Sequence, residues 1–198
     1  MLIGVLGGTF DPVHNGHFAV VHQVFDKLNL DRLLLVPTYT STSKNSETVL
    51  PPEQRLKMLH MALQDYSRTN SKTACVDKIQ VSQVDINRKK PTYTHDTLMD
   101  LHKKYKGAEF YFLLGDDIAD DVPNWKNADE LPELAKFVVV SRQNARSSKF
   151  QTEILQIDSL PISSKIIRQK VANGLPIDDL VSESVAKYIK EMNFWKNN

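Results

Sequence analysis

Two histidines three residues apart, His14 and His17, stand directly after a glycine-rich bend, Gly7-Gly8-Thr9-Phe10-Asp11-Pro12-Val13, with Asn15 and Gly16 between them. Imidazoles at that spacing across a helix start share one side and can meet a single anion together. Free backbone N–H groups and the positive end of the helix dipole add to their attraction for it. Gly7 and Gly8 carry no Cβ to hold a phosphate away from the backbone, and Gly16 lets the helix start pack closely beneath a ligand. The segment reads as a phosphate cradle, with Thr9 and Phe10 inside it. It is neither of two commoner glycine loops. No Gly-Lys pair occurs in the chain, which excludes the kinase-type phosphate loop, and the glycine spacing is not that of the dinucleotide fingerprint. A plain Asp11-Pro12 turn followed by ordinary helix-start histidines is the bland alternative, and the joint presence of two glycines, two histidines and a preceding strand weighs against it. Zinc on His14, His17 and Asp11 lacks a fourth ligand at a familiar spacing.

A second group that could hold phosphate is Ile162-Ser163-Ser164-Lys165-Ile166-Ile167-Arg168. Two hydroxyls at a helix start and a guanidinium about one turn later suit a polyphosphate. Ser163 is also the clearest helix cap in the chain, so a capped helix with a solvent-facing arginine is the competing reading. Gly174 and Pro176 end that helix.

Such groups need a scaffold. Short, fully apolar runs at Leu2-Leu6, Leu33-Val36, Phe110-Leu114 and Phe137-Val140 suit strands covered on both faces, and weaker candidates lie at Ala74-Ile79 and Ile154-Ile157. Helical patterns fall between them, at Gly16-Leu28, Pro52-Asp65, Thr94-Tyr105, Ser163-Ala172 and Ser182-Met192. Alternating strands and helices predict an α/β fold, a Rossmann-like doubly wound parallel sheet with helices on both faces. Ligands in such sheets sit beyond the carboxyl ends of the strands, where the winding reverses, and both phosphate motifs belong there. The 198 residues, 41% of them apolar, suffice for one domain spanning 1–198.

Lys and Arg number 25 against 24 for Asp and Glu, so charge recommends neither a nucleic acid nor an anionic membrane as partner. The one cysteine, Cys75, lies in an apolar-flanked stretch and reads as a buried structural thiol; with no disulfide, a reducing cytoplasm suits the chain. The apolar run Leu2-Leu6 is too short to span a membrane. Homo-oligomerisation is compatible with everything in the sequence.

The run Gly7-Gly8-Thr9-Phe10-Asp11-Pro12-Val13-His14-Asn15-Gly16-His17 closely resembles the His-x-Gly-His signature of the nucleotidyltransferase superfamily, and Ser163-Ser164-Lys165-Ile166-Ile167-Arg168 resembles its Ser-Ser-Thr-x-Ile-Arg element, with Lys165 in place of Thr. The resemblance implies transfer of AMP from ATP to a phosphate-bearing acceptor, with His14, His17 and Arg168 catalytic and with Gly7, Gly8, Thr9, Phe10, Gly16, Ser163 and Ser164 at the ATP. Lys44 stands where the family has the lysine of a Pro-Pro-His-Lys loop, and Arg142 stands in a departed Arg-Pro-Gly pattern; both are carried over to ATP on that ground. Mg²⁺ is implied, held mainly by the ATP phosphates.

Two further stretches bear on the acceptor. Pro91-Thr92-Tyr93-Thr94-His95-Asp96-Thr97 resembles the Ser/Thr-Tyr-Thr-x-Asp-Thr element of bacterial nicotinate mononucleotide adenylyltransferases. Gly115-Asp116-Asp117 and Pro123-Asn124-Trp125 resemble their Gly-x-Asp and Pro-x-Trp elements. Nicotinate mononucleotide is then the expected acceptor, touched by Tyr93, Thr94, Gly115, Asp117 and Trp125. Trp125 can stack on a pyridinium ring, Thr94 can offer donors to a carboxylate, and Asp117 can accept from ribose hydroxyls. Nicotinamide mononucleotide or another phosphate monoester, and a nucleotide sensor without catalysis, are the alternatives.

Overall fold

The computed structural model describes residues 1–40, 50–73, 75–141, 152–158 and 161–196. Among the described residues six strands, β1 (Leu2–Gly8), β2 (Arg32–Pro37), β3 (Ile79–Val81), β4 (Glu109–Gly115), β5 (Lys136–Ser141) and β6 (Thr152–Gln156), form one sheet in the order β3-β2-β1-β4-β5-β6. Every pairing is parallel. The winding reverses between β1 and β4, so their carboxyl ends border the crevice expected to receive ligands.

Alternation along the strands divides the core in two. Leu33, Leu35 and Leu113 point into one cluster with Phe18, Val21, Met58, Leu59, Ile167 and Val185, whereas Ile3, Val5, Leu34, Val36, Phe110, Phe112 and Leu114 point into another with Leu98, Leu101 and Leu131. The first face is covered by α1 (Asn15–Lys27), α2 (Pro52–Thr69), α7 (Ser164–Ala172) and α8 (Glu183–Glu191). The second lies under α3 (Val84–Arg88), α4 (Thr94–Lys104) and the short α5 (Asp116–Ala119) and α6 (Leu131–Leu134). Because both faces are buried, each strand reads as an uninterrupted apolar run.

One expected strand is displaced. Over Val76–Lys78 the chain makes a 3₁₀ turn and the strand begins only at Ile79. The N–H groups of Val76 and Lys78 are spent on Thr73 and Cys75 three residues back, which leaves none for a ladder. Cys75 beneath this turn is 1% exposed and its thiol is pushed up by burial and by Asp26, in keeping with a structural residue. Helix α7 starts as its sequence implies: Ser163 is extended, its hydroxyl accepts from the Ile166 N–H at 3.3 Å, and Gly174 ends the helix at φ +66°. Among the described residues no helix is long and apolar enough to cross a membrane.

Candidate active site

The bend after β1 is made by Thr9 to Val13. Phe10 adopts φ +50° and its ring, 2% exposed, fills the space against Gly8, where a Cβ would lie 3.2 Å from it. The Phe10 ring therefore shapes the bend by packing rather than by facing a ligand. Gly7, by contrast, is exposed at the end of β1.

His14 is the N-cap of α1 and is 8% exposed; His17 is the third helical residue. Their rings lie 3.7 Å apart, and Phe10 flanks His17 at 4.9 Å. The His14 N–H donates to Nδ1 of His17 at 3.1 Å, which leaves the His17 proton on Nε2. Burial and the neighbouring His14 hold the His17 pKa well below its ordinary 6.5. At neutral pH His17 is thus an uncharged Nε2–H donor with a fixed tautomer. A Cβ on Gly16 would stand 3.0 Å from Nδ1 of His14 and 3.5 Å from Ile162, so this glycine makes room for the histidine ring rather than for the ligand itself.

The α7 motif closes onto the same bend. The Ser164 hydroxyl donates to the Pro12 carbonyl at 2.8 Å, and Nη1 of Arg168 donates to the Asp11 carbonyl at 2.8 Å while standing 3.9 Å from Oδ2 of Asp11. Residues more than 150 apart in sequence are brought together, as the paired motifs imply. Ser163 caps its helix, and Lys165 is exposed. Helix α1 is held from the C-terminal side as well, since Asn15 donates its backbone N–H to Leu180 and its amide to Asp179. Lys44 and Arg142 lie outside the described residues.

One buried residue bonded into the bend has no place in the sequence reading. Arg55 on α2 is 1% exposed and spends its guanidinium on four backbone carbonyls: Leu50 at 2.9 Å, Thr9 at 2.6 Å, Thr38 at 2.7 Å and Tyr39 at 2.8 Å. A signal was available, because Arg55 falls in register with Met58, Leu59 and Ala62 on the buried stripe of its helix.

The predicted acceptor residues gather beyond β4. Tyr93 is the extended N-cap of α4, 37% exposed, and Thr94 opens the helix. Gly115 ends β4, and Oδ1 of the exposed Asp117 sits 2.6 Å from where a Gly115 Cβ would be, so a side chain there would turn that carboxylate aside. Trp125, half-buried, meets Phe112 edge-on at 6.4 Å. Asp116 has a different task, accepting from the Ser141 hydroxyl at 2.8 Å. Lys126 ties the two acceptor elements together, with its ammonium 2.9 Å from Asp96 on α4 and 4.9 Å from the Tyr93 ring centre. Burial would raise the Asp96 pKa, but the hydrogen bonds from Lys126 and His95 outweigh it and hold the carboxyl below the usual range. A cavity of about 530 Å³ opens on another face of α1, lined by Phe18, His22, Tyr66 and Glu183; none of the predicted site residues lines it.

The chain is similar to known proteins in sequence and in fold. Residues 5–170 match the family model of cytidylyltransferase-like proteins. A probable nicotinate-nucleotide adenylyltransferase of Saccharopolyspora erythraea is 38% identical over 98% of this chain and 89% of its own length, and one of Geobacillus thermodenitrificans is 35% identical over 98% and 85%. In three dimensions the chain is similar to the nicotinic acid mononucleotide adenylyltransferase of Plasmodium falciparum complexed with NaAD. The TM-score is 0.78 at 22% identity, covering 98% of this chain and 97% of that one.

Proposed function

The chain belongs to the cytidylyltransferase-like family, among the nicotinate-nucleotide adenylyltransferases, and from that premise we propose that it transfers the adenylyl group of ATP to nicotinate mononucleotide, giving deamido-NAD and pyrophosphate for NAD biosynthesis. The observation that carries the proposal is the pair of histidine rings 3.7 Å apart at the start of α1, with Arg168 bonded into the same loop.

The acceptor phosphate has a second pKa near ~6 and is largely a dianion at neutral pH, so it needs no base to become a nucleophile. One of its oxygens forms the bond to the α-phosphorus of ATP, and the bond from that phosphorus to the α,β-bridging oxygen breaks in line with it, releasing pyrophosphate. No covalent enzyme intermediate arises. The protein aligns two anions and stabilises the charge that grows on the phosphates.

His17 suits that task because its Nε2–H is oriented by the His14 backbone and is neutral before ATP arrives. His14, Arg168, Ser163, Ser164 and the backbone of Gly7 to Phe10 complete the ATP side, and Lys44 and Arg142 are assigned there from the sequence. On the acceptor side Trp125 stacks on the pyridinium ring, Tyr93 and Thr94 meet the carboxylate, and Gly115 and Asp117 meet the ribose. Mg²⁺ is proposed to travel with ATP, where phosphate oxygens and water would hold it. When bound, it offsets phosphate charge. We assign the whole reaction to one domain, working in the cytoplasm, where its free thiol is at home.

The test mixes the purified protein with ATP and Mg²⁺ and offers nicotinate or nicotinamide mononucleotide in parallel, following pyrophosphate release. Faster turnover of the nicotinate compound, abolished in His17→Ala, is the expected result. Release with neither compound would sink the acceptor assignment.

A further inference from the structure

Arg55 presents an imbalance that the mechanism above does not absorb. A guanidinium with 1% exposure has lost nearly all of its hydration, and among the described residues no carboxylate lies within ion-pair distance of it. Burial accordingly pulls its pKa down against the pull of Asp11 and Glu53, though an arginine keeps its charge. Such a group is retained where its five-donor fork does something that a packed apolar side chain cannot.

What the fork holds is informative. Its four carbonyl partners come from three places: Thr9 in the phosphate bend, Thr38 and Tyr39 just after β2, and Leu50 just before α2. The N–H of Leu50 is taken at 3.3 Å by Oδ1 of Asp11, itself 2% exposed, so buried charged side chains grip residue 50 from both sides. The Thr38 N–H in turn donates to Gly8 at 3.0 Å. Asp11 also receives Arg168 through its backbone. The fork therefore joins the ends of β1 and β2 and the start of α2 to the loop that leads into His14 and His17.

We infer that Arg55 is a positioning residue for the transfer reaction: it fixes the phosphate bend at Thr9 relative to residues 38, 39 and 50, and through that bend sets where His14, His17 and Arg168 stand against ATP. This rests on the proposed adenylyl transfer. Arg55 touches no substrate in this scheme. It acts by geometry, so a lysine that keeps the charge but loses the planar fork should not replace it.

The experiment compares wild type, Arg55→Gln and Arg55→Lys, with the folded fraction of each taken from thermal melts. Per folded molecule, kcat is expected to fall about 100-fold in both variants, as a misplacement of about 1 Å at reacting groups does. The KM for ATP should rise while the KM for the acceptor stays within about twofold, because only ATP-side groups are moved. Unchanged kcat per folded molecule, or full recovery with lysine, would overturn the inference by leaving Arg55 a stabilising residue or a bare charge. If neither variant folds, amide exchange in the wild type decides: exchange at Thr38 and Leu50 should slow on addition of ATP and not of acceptor, and equal rates with and without ATP overturn it. Inactivity of the wild type itself toward every acceptor tried would instead strike the proposed function, and the two failures are thereby distinguished.

Discussion

The two sides of the proposed site are built by different means. On the ATP side, side chains bond to backbone: Arg168 to Asp11, Ser164 to Pro12, Arg55 to four carbonyls, and the His14 N–H to His17, with Phe10, Asp11 and His14 all under 10% exposed. On the acceptor side, side chains bond to side chains near the surface, as in Lys126 to Asp96 and His95 to Glu130, whose partners are up to 62% exposed. Backbone-directed bonds in a dry setting resist both sequence change and solvent competition, whereas exposed ion pairs contribute on the order of 0–1 kcal/mol. The half proposed to handle ATP is the more tightly bonded, and the half proposed to meet the acceptor is the cheaper to alter.

That contrast can be broken at its strongest point first. His17→Ala should lower kcat by about 10² to 10³, the usual effect of deleting one well-placed donor to transition-state charge, while thermal melts stay close to wild type. A kcat within threefold of wild type would show that the ATP side does not depend on its rigid pair. Gly16→Ala should come next. Alanine favours a helix by about 1 kcal/mol over glycine, yet its Cβ would press on Nδ1 of His14 at 3.0 Å; we expect kcat to drop about tenfold or more with no loss of melting temperature. An active, more stable variant would mean that His14 can move freely.

Trp125→Ala probes the other half. Loss of a stacking contact should raise the acceptor KM by about tenfold and leave the KM for ATP unchanged, and a change in the ATP value would erase the division between the two sides. The smallest effect is one of pH. Free His17 has a depressed pKa, so between 6.5 and that lower value the unfolded chain binds a proton that the folded chain does not. Stability should therefore decline as pH falls below 6.5, by at most about 1.4 kcal/mol per pH unit from this one residue. Wild type should lose stability relative to His17→Gln as pH falls from 7 to 5; parallel curves would remove the desolvated histidine from the account.

Much of this architecture could be read from the chain. The apolar strands and long helices were legible because a doubly covered parallel sheet demands continuous apolar runs, and the meeting of the two motifs because both fall at the carboxyl ends of strands in such a sheet. Helices α3, α5 and α6 were not, since elements of four or five residues carry no full hydrophobic period. The 3₁₀ turn at Val76–Lys78 was hidden for a related reason: β-branched residues suit a strand, but local N–H partners took the ladder's place. Arg55 escaped because a charged helical residue reads as solvated until its place on the apolar stripe is noticed. The role of Gly16 was read as closeness to the ligand, and only coordinates reveal that the neighbour it spares is His14.

The way the loop after β1 is closed also has a consequence for how the protein comes into being. Asn15 is bonded to Asp179 and Leu180, Pro12 to Ser164 and Asp11 to Arg168. The loop that leads into the histidines is thus locked by groups more than 150 residues further along the chain. Contacts of such sequence separation form late and slowly. The histidine pair therefore takes its final geometry only once the segment carrying Ser164 and Arg168 has docked on the bend.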